Sequence, residues 1–303
     1  MDPVDITKIM AMDEVLMREG IPPDQRAFVF AQRMMAEAGV ISYPLSDARF
    51  EAYRQAFRSV FPNAEKTGGW IGYGLAASLD DVRQVTVPLV FGTTAIHVYS
   101  LCGFDSHDAW AVWVRGRPAI ADQTTFAAFD AMDFAYGVMD YQPSSPDRDG
   151  SAFFATARSN LEEIAKRLPE SGTYQTLSQN IHLVAETAMK AVLADKGVPD
   201  TELRKRTLGH DLEALSARMA ELAPQPDDDS LIASLLDLFP NYVAGRYQPD
   251  TRSRLQVVRN ALAAQFMAAS SSRRLVPDRN MCARLAEEGL HRDASFYLEQ
   301  SEV

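Results

Sequence analysis

The chain has 303 residues and a mass of 33.5 kDa, and 47% of its residues are hydrophobic while 23% are charged. This composition is that of a folded globular protein, and the length predicts two domains. The formal net charge of -11 argues against nonspecific coating of nucleic acid, because the molecule as a whole repels phosphate. A local basic strip is still compatible with that charge.

Neither a membrane span nor an export signal is predicted. The richest apolar stretch, 126–139, is interrupted by Asp130 and Asp133, and acidic residues stand at the amino terminus where a secretion signal carries positive charge. Cys102 and Cys282 lie far apart and have no metal-binding or redox spacing. We therefore expect a cytoplasmic protein with reduced thiols, no membrane association and no cofactor.

The first half of the chain begins with two predicted helices, over residues 24–38 and 46–60, and continues with a glycine-rich segment over 68–74. Short runs rich in β-branched and aromatic residues predict three strands, over 85–91, 95–101 and 109–114. Thr124 or Thr125 is predicted to cap a helix that runs to Met139. No long helix separates the strands, so we predict an α+β domain over 1–143 with a small, mainly antiparallel sheet.

Turn-forming residues over 142–150 predict a linker, and the second half is helical. Helices are predicted over 152–168, 174–196, 211–222, 230–240 and 251–270, the last with Thr251 as its N-cap. Glu186 and Lys190 lie four residues apart and predict an exposed helical ion pair, and Gly197 ends their helix. These elements predict an all-α bundle over 151–275 and a helical tail over 276–303.

Three pieces of the second half occur in a recognisable order. The first is E-x-x-x-K at Glu186 and Lys190, the second is the turn T-L-G-H-D-L over 207–212, and the third is R-Y-Q-P over 246–249. Together they resemble a HEPN domain, and the resemblance covers about residues 153–270. It implies a helical bundle that forms a homodimer and contacts RNA, a nucleotide or a partner protein. The resemblance also implies a role in a toxin–antitoxin or defence system.

Many HEPN proteins are metal-independent ribonucleases that use an arginine and a histidine with four to six residues between them. The imidazole can transfer a proton and the guanidinium can stabilise charge on the phosphate. Arg204 with His210 fits this spacing, and so does Arg284 with His291, which lies beyond the resemblance. Among this many arginines such pairs also arise by chance. The alternative for His210 is a helix N-terminal turn that Asp211 caps.

A basic strip spans residues 246–279, where only Asp250 and Asp278 oppose the arginines. Its members are Arg246, Arg252, Arg254, Arg259, Arg273, Arg274 and Arg279. Two interpretations stay open: contact with RNA, and a seam that binds the acidic first domain or a second subunit. The candidate ligand- or RNA-binding residues are Arg206, Arg246, Tyr247, Arg252, Arg254 and Arg259.

One further cluster, Asp105 with His107 and Asp108, groups carboxylates and an imidazole near His97. Turn and cap chemistry explains it more simply than a metal, so no metal site is predicted. Three classes of function therefore remain. We favour a binding or regulatory protein; the second class is a ribonuclease that uses Arg204 and His210, and the third is a structural interaction module with no ligand.

Overall fold

The computed structural model describes residues 5–40, 47–62, 70–90, 95–170, 174–205, 208–239, 252–292 and 294–298, and the side chains there except those of residues 24, 174 and 175. The chain divides into two compact units, Met1–Trp70 and Ile71–Val303. Among the described helices, none combines the length and the apolar character that crossing a membrane requires.

The first unit contains three helices in its described part: α1 (Ile6–Arg18), α2 (Pro23–Glu37) and α3 (Ala48–Val60). The helices predicted over 24–38 and 46–60 are confirmed, whereas α1 was not predicted. Asp5 and Asp47 cap α1 and α3, because each carboxylate accepts a hydrogen bond from a backbone N–H of the first turn. The core of the unit includes Phe30 and Phe57, whose ring centroids are 5.1 Å apart.

The second unit begins with a small antiparallel sheet. Its two strands, the ones found in the described part of the chain, are β1 (Trp70–Ser78) and β2 (Asp81–Pro88). The prediction of an α+β chain with a small sheet and a helical C-terminal region is confirmed. Of the predicted strands, 85–91 overlaps β2. The glycine-rich segment contributes its second part to β1, which sequence reasoning missed.

Two predicted strands are wrong. Residues 95–101 contain a one-turn helix, α4 (Val98–Leu101), and 109–114 lie largely in α5 (His107–Trp113). Ser106 Oγ accepts a hydrogen bond from the Ala109 backbone N–H at 3.2 Å and so caps α5. The cap and the packing of this segment outweigh its strand-like composition, because strand propensity depends on the surroundings.

The rest of the second unit is helical. The helices are α6 (Pro118–Asp140), α7 (Ser151–Arg167), α8 (Ser178–Asp195), α9 (Asp200–Leu203), α10 (Leu212–Leu222), α11 (Pro226–Leu235), α12 (Arg254–Leu275) and α13 (Met281–Glu287), with 3₁₀ turns at Tyr174–Leu177, Leu236–Leu238 and Ala294–Phe296. The buried helix α8 packs against α7, α10 and α12, and α12 also packs against α6. The predicted bundle is therefore present.

Two predicted helix starts are wrong. The helix that ends near residue 139 begins at Pro118, and the Thr124 and Thr125 hydroxyls both donate to the Ala121 carbonyl inside it. Proline is favoured in the first helical turn, where no N–H is needed. The last long helix has Ser253 as its N-cap, in a capping box with Gln256, and Thr251 lies outside the described residues.

The strand β1 lies directly on the bundle. A Cβ atom at Gly72 would come within 2.8 Å of Ala135 Cβ, and one at Gly74 within 2.4 Å of Ala131 Cβ, so only glycine permits this approach. Gln265 of α12 is buried and bonds both backbone groups of Leu75, at 2.7 Å and 3.0 Å. The sheet and the helices thus share one core.

The segment 142–150 joins α6 to α7 inside the second unit. The Tyr141 hydroxyl donates to Asp195 Oδ1 at 2.9 Å and accepts from the Gly150 N–H at 3.0 Å, which ties both ends of the segment to α8. The predicted division into 1–143, 151–275 and 276–303 stays a prediction.

Candidate functional site

A buried polar cluster lies where α8 meets the turn before α10. Lys190 Nζ donates hydrogen bonds to Glu186 Oε1 at 2.7 Å and to the Gly209 carbonyl oxygen at 2.6 Å. The other Glu186 oxygen accepts a hydrogen bond from His210 Nδ1 at 2.9 Å. Glu186 and Lys190 are both buried, so the prediction of an exposed ion pair is wrong. The turn covers the pair and supplies its further hydrogen-bond partners.

His182 completes this group, which we call the histidine cluster: His182, Glu186, Lys190 and His210. Its Nε2 donates to the His210 carbonyl oxygen at 3.2 Å and lies 3.6 Å from Glu186 Oε2. Burial lowers the pKa of His182 below 6.5, against the opposing effect of the Glu186 charge. The imidazole of His182 is therefore held neutral in the interior, and it fixes the backbone of the turn.

The His210 side chain is the part of the histidine cluster that reaches solvent, with 49% of its area exposed. Its Nδ1 faces the buried carboxylate, so Nε2 lies on the opposite side of the ring. Asp211 Oδ1 accepts from the Ala214 N–H at 3.0 Å and caps α10, as the turn interpretation predicts. The turn thus has a structural role and also presents an oriented imidazole.

Arg204 is held by a different carboxylate from the one that holds His210. Its Nε lies 2.8 Å from Asp200 Oδ2 on α9, and 78% of its side chain is exposed. Arg206, another predicted site residue, lies outside the described residues. The structure thus orients His210 through Glu186, whereas an ion pair on the surface engages Arg204.

Two arginines of the basic strip line a cavity of about 360 Å³ beside the first turns of α12. These are Arg252 and Arg259, and the walls also include Asp237, Asn260 and Tyr297. Arg252 Nη2 donates to Ser178 Oγ at 2.6 Å, which places its guanidinium against the start of α8. The cavity therefore brings together two of the predicted ligand-binding residues.

The other predicted ligand-binding residues are placed differently. Arg254 donates to the Asp80 carbonyl oxygen at 3.0 Å and to the Leu168 carbonyl oxygen at 2.8 Å, so it links the β1–β2 turn to the end of α7. Arg246 and Tyr247 lie outside the described residues. Among the described members of the strip, Arg252 and Arg259 are thus the two that line this cavity.

A second charged network fills the contact between α6, α12 and the C-terminal segment. Arg273 Nη1 contacts Asp130 Oδ1 at 3.0 Å and Asp133 Oδ2 at 3.1 Å, and Arg292 binds both oxygens of Asp130, at 2.5 Å and 2.9 Å. We call these four residues the arginine cluster. Arg279 pairs with Asp140 at 2.5 Å. Arg273 and Arg279 thus bind acids of α6, which belong to the same compact unit as the arginines, and the seam interpretation stays a prediction.

The acids of the arginine cluster also lie beside Cys282. Ligand atoms of Asp130, Asp133 and Cys282 lie within 4.8 Å of one another, a spacing that a metal ion could bridge. However, both carboxylates already contact Arg273, and burial raises the pKa of the Cys282 thiol well above its ordinary value. A protonated thiol and two carboxylates neutralised by arginine do not suit a cation.

The contacts of the histidine cluster join two of the three motif pieces, because Glu186 and Lys190 bind the turn at Gly209 and His210. A family model of the HEPN domain matches residues 151–265. The C-terminal half of the chain contains a HEPN domain. No family model matches the N-terminal half. Comparison of the whole chain with curated proteins and with solved structures finds no match.

The HEPN match includes Glu186 and Lys190, two residues whose burial the sequence did not predict. Their spacing alone predicts an exposed pair for Glu186 and Lys190, yet both are buried members of the histidine cluster. The available signal was the order of the motifs: a charged pair on a helix, followed by a polar turn with His210.

Proposed function

We propose that this HEPN-domain protein is a binding or regulatory protein whose ligand carries phosphate, as a nucleotide or RNA does. The observation that supports it is the cavity lined by Arg252 and Arg259. Guanidinium groups bind phosphate through paired hydrogen bonds. The volume of about 360 Å³ falls within the range of small-ligand sites. The HEPN resemblance adds the expectation of a defence or toxin–antitoxin setting.

The charges around the cavity favour an anion despite the acidic chain. Among the described residues of its walls, the charged side chains are those of Arg252, Arg259 and Asp237, and Asn260 offers a polar neighbour whose Nδ2 already donates to the Leu238 carbonyl oxygen at 2.6 Å. The cavity also lies at the N-terminal end of the 22-residue helix α12, where the helix dipole attracts negative charge. A phosphate bound there would interact favourably with both arginines and with the dipole.

The test is a double substitution, Arg252→Gln with Arg259→Gln, which removes both charges from the cavity. Binding of ribose 5-phosphate, which carries a phosphate but no base, and of a short fluorescent single-stranded RNA is measured at several salt concentrations. We expect the affinity to fall at least tenfold, and the salt dependence for RNA to become shallower by about 1.4 in the log–log slope.

Arg218→Gln is the matched control, because it removes a partly exposed arginine of α10 in the HEPN domain that lies outside this cavity. Wild-type protein that binds neither probe would contradict the proposal, and so would equal affinity in the double variant and the control. Arg254 is left intact because its contacts to Asp80 and Leu168 would confuse binding with stability.

A second candidate function is a metal-independent ribonuclease, and the observation that favours it is the Glu186–His210 hydrogen bond. A buried carboxylate that binds Nδ1 orients an imidazole so that Nε2 can accept a proton from a 2′-hydroxyl or donate one to a leaving oxygen. Arg204 would have to leave Asp200 to reach the phosphate. In a homodimer, two such Arg204–His210 pairs would meet across the interface.

Cleavage of a mixed RNA substrate in the presence of a chelator tests this candidate. His210→Ala is expected to abolish cleavage, and His291→Ala, at the other pair of matching spacing, is expected to leave it unchanged. Absence of any cleavage by the wild-type protein would remove the ribonuclease hypothesis, and equal cleavage by His210→Ala would remove this assignment of the residue.

The third candidate is a structural interaction module in which the arginines serve assembly. We propose a homodimer through the HEPN bundle, and the mass of the particle in solution tests it by light scattering. The double variant Arg252→Gln with Arg259→Gln could change this mass and still bind both probes with wild-type affinity. That result would favour the assembly role over ligand binding.

A further inference from the structure

A second cavity, outside the HEPN match, is walled by aromatic rings. It has a volume of about 510 Å³ and lies between the segment 96–110, α6 and α13. Four of its residues follow one another ring to ring. The His97 and Tyr99 rings are stacked at 5.1 Å with an interplanar angle of 13°, Tyr99 meets His107 edge-on at 6.5 Å, and His107 lies 5.5 Å from Trp110. We call this the aromatic cavity.

These rings do not serve as core. His97 and His107 are exposed, and Tyr99 and Trp110 are half-buried, whereas the aromatic core residues nearby, such as Phe134, are fully buried. A series of rings that is arranged in contact yet open to solvent presents flat apolar faces to a ligand.

The polar groups of the aromatic cavity are not paired with each other. Arg284 and Glu288 line it from α13 and its C-terminal end, and within the described part of the chain neither forms an ion pair. Among the described residues, the buried Trp110 Nε1 has no hydrogen-bond partner. An unsatisfied buried N–H is unfavourable. A ligand acceptor could satisfy it after a rotation of the indole ring.

We propose that the aromatic cavity binds a planar nitrogen heterocycle of the nucleobase class. A base can stack on the exposed faces of Tyr99 or His107, and its edge carries both acceptors and donors, which match Arg284 and Glu288. A purely hydrocarbon ring would leave these charged groups unused. The volume of about 510 Å³ accommodates a nucleoside. This site needs no phosphate and is therefore independent of the arginine-lined cavity.

Calorimetric titration with adenosine, cytidine and ribose tests the proposal, because ribose lacks the base. We expect both nucleosides to bind and ribose not to bind. Trp110→Leu and His107→Ala are each expected to weaken nucleoside binding at least tenfold, which corresponds to about 1.4 kcal/mol of stacking energy. His107 is 69% exposed, so its substitution should leave the fold intact even if Trp110→Leu does not.

Trp113→Phe is the matched control. Trp113 Nε1 bonds Asp81 at 3.0 Å, and the residue lies outside the aromatic cavity, so binding should be unchanged. Arg252→Gln with Arg259→Gln should also retain adenosine binding, which separates this site from the proposed phosphate site. Ribose that binds as well as the nucleosides, no nucleoside binding up to the solubility limit, or wild-type affinity in His107→Ala would overturn the proposal.

Discussion

The second unit contains two networks of buried charged residues, the arginine cluster and the histidine cluster, and they differ in whether a member reaches the surface. In the arginine cluster, Arg273 and Arg292 are almost completely buried, and each contacts carboxylates of α6. In the histidine cluster, the charged pair Glu186–Lys190 is equally buried, but it supports a His210 imidazole that is half-exposed. All four members of the arginine cluster have nearly buried side chains, whereas the histidine cluster ends at the surface.

This difference separates a structural network from a candidate site. Buried charges that are paired with buried charges of the opposite sign link the elements that carry them, here α6, α12 and the C-terminal segment. A buried charge that orients an exposed titratable group can also act on a ligand. The two cases differ in whether one member of the network is exposed, as His210 is, and not in the number of charges.

The largest expected effect is on the arginine cluster. Asp130→Ala removes the carboxylate that both Arg273 and Arg292 contact, and leaves the two guanidinium groups buried with fewer partners. We expect the free energy of unfolding to fall by about 3 to 5 kcal/mol. Guanidinium denaturation followed by circular dichroism measures it. Asp227→Ala, at an exposed acid of α11, should change it by less than about 0.5 kcal/mol. A similar loss in both variants would contradict a stabilising role for the cluster.

A smaller loss is expected in the histidine cluster. Lys190→Met removes one partner of Glu186 but leaves the hydrogen bond from His210, and it leaves the Gly209 carbonyl without its lysine donor. We expect a loss of about 1.5 to 3 kcal/mol by the same denaturation measurement. Lys166→Met, at an exposed position of α7, is the control. If the two variants unfold at the same denaturant concentration, Lys190 does not stabilise the turn.

The smallest effect concerns pH. Burial lowers the pKa of His182 below its unfolded value of 6.5, so the unfolded chain binds this proton first as the pH falls. Titration of His182 should therefore leave the free energy of unfolding unchanged above pH 6.5. Below pH 6.5 it should lower the free energy of unfolding, by at most about 1.4 kcal/mol per pH unit. Glu186, Lys190 and His210 are the charged or titratable groups that surround His182.

Denaturation curves of the wild type and His182→Gln between about pH 7.5 and pH 5.5 test this dependence. Glutamine keeps a hydrogen-bond donor without the titration, so the variant should show a flatter profile in this range. Equal slopes for the two proteins would show that another group causes the pH dependence.

Much of the helical architecture could be predicted from the sequence, because apolar spacing records which face of a helix is buried. The helices over 24–38, 152–168 and 211–222 match α2, α7 and α10 within a residue or two. The predicted strands over 95–101 and 109–114 failed because short runs of β-branched and aromatic residues suit several structures, and the Ser106 cap with tertiary packing decided between them.

The candidate site was predicted only in part. The Glu186–Lys190 spacing and the His210–Asp211 turn are visible in the sequence, but spacing does not reveal that the turn folds over the pair and buries it. The aromatic cavity shows the same limit, since His97 and Trp110 are thirteen positions apart in the sequence and only the fold brings the rings between them into a series.

The sequence by itself determined the helical bundle and its HEPN character, because periodic burial and local motifs are properties of neighbouring residues along the chain. The tertiary structure alone decided which charges are closed into the arginine cluster and which reach the surface at His210 or line the cavity at Arg252 and Arg259. The physical reason is that the burial and the pairing of a charge depend on what distant segments place beside it, and local spacing carries no record of those contacts.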